Sequence, residues 1–120
     1  MNLDSIRSIL PSFQMGNFNM FNKITLLKWE TKLDECDWGN ITNLILEMIS
    51  DENYKIIMEF LDVKSWCFDG DGQIKGFYIQ DMSENGYEND VRYRVGDYED
   101  DAIKFYCSNV VIQKFEKILS

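Results

Sequence analysis

Residues 54–63 read "YKIIMEFLDV", and the fold class turns on them. Tyr54, Ile56, Met58 and Phe60 fall at every second position, with Lys55 and Glu59 between them. On a strand, alternate side chains point to opposite faces, so the four large residues share one face and the two charges the other. On a helix the same four would be scattered around the circumference. The spacing therefore predicts a strand with one buried face.

The segments on either side repeat this pattern. Before it stand "KITLLKWET" at 23–31 and "NITNLILEMI" at 40–49, the latter closed by the turn "SDEN". The first predicts two faces, Thr25, Leu27 and Trp29 against Ile24, Leu26 and Lys28. After it, "SWCF" at 65–68 extends the strand or begins a short one. "QIKGFYIQDM" at 73–82, "DVRYRVGDYE" at 90–99, "AIKFYC" at 102–107 and "NVVIQ" at 109–113 each read as strands between turn signals. Gly76 and Gly96 interrupt two of them and predict bulges. The tail "KFEKIL" at 114–119 fits a closing helical turn. At the other end Leu3, Ile6 and Leu10 have helical spacing, and Pro11 ends that helix. "SFQMGNFNMFN" at 12–22 reads as a loop.

The reading is a mainly β fold (β-rich α+β). An antiparallel meander of about seven strands forms a sandwich or strongly curved sheet, with one short N-terminal helix. All of it fits one domain, 1–120. Hydrophobic residues make up 45% of the chain, enough for a core.

Charge and residue types narrow the function. With 21 acids against 12 bases the net charge is −9, which argues against nucleic acid and against an anionic membrane. No run approaches a membrane span. The N-terminus has Asp4 before its apolar residues and does not read as a secretory signal. Cytoplasmic location follows as the expectation. Cys36, Cys67 and Cys107 lack C-x-x-C spacing and predict reduced thiols rather than a zinc site. Cys67 and Cys107 lie in apolar runs that predict burial.

"CFDGDGQIKGFY" at 67–78 invites comparison with a calcium loop. With Gly72 at position 6, Asp69 and Asp71 fill positions 3 and 5, but Cys67 and Tyr78 fall at positions 1 and 12. Neither supplies the oxygen ligands required. Asp-Gly signals a hairpin turn instead. No metal and no cofactor is expected. The chain has no histidine, which removes histidine-based nucleophile activation and proton shuttling. No phosphate-cradling glycine loop is present. The expectation is a protein that is not an enzyme.

What remains is charge placed beside aromatics. Residues 81–101 hold eight acids and two arginines, Arg92 and Arg94. The densest run is "GDYEDD" at 96–101. Asp97, Glu99, Asp100 and Asp101 surround Tyr98, and Tyr87 with Glu88 precede them. Such a patch is either a hairpin end kept soluble by charge or a face for a basic protein, with charges that steer and an aromatic that anchors. Trp38, in the acidic loop "DECDWGN" at 34–40, is a second candidate anchor, unless it folds back onto the core.

The segments "IIMEFLDVKSW" at 56–66, "GQIKGFYIQDM" at 72–82 and "GYENDVRYRVGDYEDDAIKFYCSNVVI" at 86–112 resemble small bacterial immunity proteins encoded beside polymorphic toxins. The shared features are an apolar-x-Phe-x-x-Val strand (Met58, Phe60, Val63), an Ile-x-Gly-apolar strand (Ile74, Gly76, Phe77) and the "DYE…IxFYC" ending. Where such proteins often carry a Pro-Ser-Phe-His-Asp-like stretch, this chain has "PSFQMGN" at 11–17. The resemblance implies a strand-rich fold, no catalysis, and tight binding to a cognate secreted toxin domain, with nucleases and their basic clefts among the candidates. A non-catalytic small-molecule-binding or structural strand domain is the alternative. Oligomeric state does not follow from the sequence.

Overall fold

The structure, a computed structural model, describes residues 1–33, 40–83, 91–99 and 101–118. Among these residues eight strands form two antiparallel four-stranded sheets. In chain order they are β1 (Phe21–Leu33), β2 (Asn40–Ser50), β3 (Tyr54–Leu61), β4 (Lys64–Phe68), β5 (Phe77–Asp81), β6 (Tyr93–Asp97), β7 (Ile103–Cys107) and β8 (Asn109–Lys117). The larger sheet runs β1-β2-β3-β8 and the smaller β4-β7-β6-β5.

The alternation in 54–60 is realised. Ile56, Met58 and Phe60 are fully buried, while Lys55 and Glu59 face outward, opposite Glu116 and Val111 of β8. Leu44, Leu46 and Met48 stand beside them on β2. These inner faces meet Ile79, Val95, Phe105 and Cys107 of the smaller sheet in one continuous apolar cluster. Phe60 and Phe105 make an edge-to-face contact at 4.9 Å across the two layers, the arrangement aromatic quadrupoles favour.

The N-terminus differs in detail from its expectation. The helix α1 (Asp4–Arg7) covers four residues and buries Ile6, and the Leu10 N–H still bonds the Ile6 carbonyl before Pro11. The stretch read as a loop contains a 3-10 helix, Met15–Met20. Its start is fixed by Gln14 and Asn17, each bonding the other's backbone, a reciprocal cap. The turn exists to place Phe18, which is buried between Phe13 and Phe21.

Three strands, β1, β4 and β8, carry extra residues. In β1 the partner of Ile24 is Met48 and that of Leu26 is Glu47, so Thr25 is unpaired in the ladder. Ile24 and Leu27 consequently both pack on the core, and Leu26 is exposed. The two faces expected from strict alternation are therefore reassigned at this bulge. In β8, Lys114 pairs with Ile57 and Ile112 with Met58, leaving Gln113 as the extra residue. The tail is strand, not a helical turn. It continues to Lys117 because Phe115 packs opposite Ile56 and stacks on Tyr54 at 5.4 Å.

Other boundaries shift. "SWCF" belongs to a separate strand, β4, an edge strand on which Trp66 points inward. Cys67 therefore faces water, contrary to the burial expected for it, whereas Cys107 is buried; both are free thiols. Cys36 lies outside the described residues. Gly96 lies in an unbroken ladder on both sides and makes no bulge, and Gly76 precedes β5 rather than interrupting it. Among the described residues no helix is long and apolar enough to cross a membrane.

Candidate functional site

The site grows from the outward face of β5 and β6. Phe77 and Ile79 point into the core, so Tyr78 between them must point out. Its cross-strand partner is Gly96. A Cβ on Gly96 would lie 2.9 Å from the Tyr78 hydroxyl and 3.1 Å from the Ile103 carbonyl. Glycine there lets the tyrosine lie flat across the sheet.

Tyr98 then stacks on Tyr78, with ring centroids 4.3 Å apart and 26° between planes. The Tyr98 side chain is 74% exposed, yet its backbone is held. Its N–H donates to the Gly76 carbonyl at 3.2 Å. Gly76 has φ +76°, and a Cβ there would come within 3.2 Å of the Tyr98 Cβ. Only glycine holds that backbone angle without strain while allowing this approach. Arg94 lies 5.9 Å from the centre of the Tyr78 ring. Burial pushes the Tyr78 hydroxyl above its usual pKa, and the Arg94 guanidinium pulls it part of the way back. Met15 and Asn19 of the 3-10 helix face the tyrosines across an open groove of about 430 Å³.

The acids around Tyr98 separate into two kinds. Glu99 and Asp101 are exposed, Asp101 with a left-handed φ of +49°. Asp97 is 3% exposed and turned inward beside Phe77; its carboxylate accepts the Ile103 N–H at 3.0 Å. A steering charge must face water, so Asp97 leaves the candidate set and becomes the brace of the β6–β7 connection. Asp100, Tyr87, Glu88 and Trp38 lie outside the described residues. Of the candidates, Tyr98, Glu99 and Asp101 are exposed, and the contacts around Tyr98 add Tyr78, Arg94 and Gly76, which the sequence reading passed over. The signal for Tyr78 was present in the alternation of Phe77, Tyr78 and Ile79.

The "DGDG" segment is a connection between strands of the same sheet that do not pair, not a tight hairpin. Asp71 accepts the Gln73 N–H at 3.1 Å, the Asp69 N–H bonds the Ala102 carbonyl at 2.7 Å, and the Gly72 carbonyl receives the Ile24 N–H at 2.8 Å. Gly70 and Gly72 take φ of +136° and +92°. Among the described residues no three Cys, Asp or Glu side chains gather to hold a metal ion.

Comparison with protein-family models, with curated proteins and with solved structures finds no match.

Proposed function

We propose that this chain is a non-catalytic protein-binding domain of the immunity kind, acting in the cytoplasm against a cognate bacterial toxin domain. The observation that carries the protein-binding part is Tyr98: a large aromatic ring, mostly in water, whose position is fixed before any partner arrives. Hot spots favour tyrosine, and an anchor already in its bound geometry loses little entropy on association. Glu99 and Asp101 beside it, on a chain of net charge −9, suit a basic partner. The toxin part is supported by the resemblance over residues 54–112.

The test is direct. The toxin domain encoded next to this chain is produced alone and with it, and toxicity and binding are measured. Neutralisation through a complex weakened by Tyr98→Ala supports the reading. No complex with the neighbouring product overturns the immunity assignment. A complex insensitive to Tyr98→Ala overturns the site.

A further inference from the structure

The long first strand has an outward edge that the other described residues leave open. β1 is an edge strand of 13 residues. Its start is covered: the Ile24 N–H bonds the Gly72 carbonyl and the Ile74 N–H bonds the Asn22 carbonyl. Beyond Ile24, no described segment outside β2 bonds its backbone. The other edges are different. β5 has the 3-10 helix against it and β8 has α1, while β4 spans only five residues and its ladder is interrupted.

The extra residue at Thr25 decides which groups point out. Ile24 directs its N–H away from β2. Counting on through the bulge, Leu26 and Lys28 bond β2, and Leu27, Trp29 and Thr31 turn their N–H and C=O outward. An exposed row of this kind is a template for another strand.

We infer that β1 pairs with β1 of a second copy of this chain, antiparallel about a two-fold axis through Trp29. Trp29 is the midpoint of the open stretch from Thr25 to Leu33. In this register Trp29 faces Trp29, Leu27 faces Thr31, and all six residues offer outward backbone groups. On the solvent side Lys28 of each copy stands opposite Glu30 of the other. Moving the axis one residue either way sets Glu30 against Glu30 or Lys28 against Lys28. The charges therefore repel a shifted copy and suit this one, which is how strand edges choose partners. Pairing also covers the side of Trp29, 39% exposed, next to its contact with Trp66 on β4. Tyr78 lies on β5, the opposite edge of the smaller sheet from β4. Self-pairing and partner binding thus use different edges, and either can fail without the other.

Sedimentation of the whole chain over a range of concentrations tests this. The expected result is a reversible dimer. Lys28→Glu alone, or Glu30→Lys alone, opposes like charges twice and should weaken the dimer by roughly tenfold or more. The double exchange Lys28→Glu with Glu30→Lys restores the pairs and should bring the dimer back. Thr31→Pro removes an outward N–H, which an edge strand tolerates, and should give a folded monomer. A wild-type chain that stays monomeric, or a dimer indifferent to the single reversals, overturns the inference. So does a double exchange that fails to restore it.

Discussion

Tyr98 lies flat on Tyr78 at 4.3 Å while its outer face stays in water, so the ring is both exposed and fixed. An exposed tyrosine on a free loop would have to be ordered on binding. This one is ordered in advance by the stack beneath it and by the Gly76 carbonyl behind it.

Tyr98→Ala should speed dissociation of the partner by at least tenfold, about 1.4 kcal/mol, with little change in association. Gly76→Ala should also weaken the complex, because its φ of +76° and the 3.2 Å approach to Tyr98 both resist a side chain. Surface-plasmon kinetics reads both. Equal affinity for wild type and Gly76→Ala would show that the fixed placement contributes nothing.

Glu99→Gln combined with Asp101→Asn should slow association and leave dissociation nearly unchanged. Asparagine tolerates the left-handed backbone at 101, so shape is kept while charge is lost. The difference between wild type and this variant should shrink as the Debye length falls from about 10 Å at 0.1 M salt to about 3 Å at 1 M. An association rate unaffected by both the variant and salt would remove these acids from the encounter.

Asp97→Ala should act on stability instead. It leaves the buried Ile103 N–H without its acceptor, a loss of about 1–3 kcal/mol. Phe60→Ala, which empties the centre of the inter-sheet contact, should cost about 3–5 kcal/mol. Denaturant midpoints report both. A Phe60 variant within 1 kcal/mol or so of wild type would contradict its place in the core.

Cys107 supplies a pH test. Burial pushes its thiol up to about 12, with the Asn109 N–H opposing in part. The folded state therefore keeps the proton where the unfolded chain, with an ordinary thiol near 8.5, releases it. Stability that is complete below that value should fall as pH rises from about 9 towards 12. Part of the slope should vanish in Cys107→Ala, which separates it from other alkaline groups. At pH 8, thiol labelling of the folded chain should modify Cys67, which is exposed, and spare Cys107.

The strand content was legible because most strands bury one face and alternate strictly, as in Tyr54 to Phe60. The errors cluster where one residue is added to a strand. With Gln113 unpaired, Ile112 and Phe115 turn the same way at a spacing of three, and a spacing of three is also what a helix produces. Thr25 does the same to Ile24 and Leu27. Nothing local distinguishes a bulge from a helical turn; the opposite strand decides. The site was half legible. The acids and Tyr98 stand out as composition, but inward Asp97 and outward Glu99 are both acids two positions apart. Their difference arises from where β6 ends, opposite Phe77.

The strand order also sets a timetable for synthesis. β1, β2 and β3 pair in sequence, but β3 completes its ladder only with β8, where Tyr54 meets Lys117. β4 waits for β7, since Phe68 pairs with Ile103. Both sheets therefore close late, through partners far along the chain, which slows folding. A chain stopped before residue 103 holds a three-strand meander whose inner face can meet at most the β5–β6 pair, without β4 and β7 joined to it. Its β3 edge lies open, and β4 has nothing to pair with. Release at that point frees two unsatisfied strands at once, so rare-codon pauses between the codons for β4 and β7 should be the ones that send this protein into aggregates.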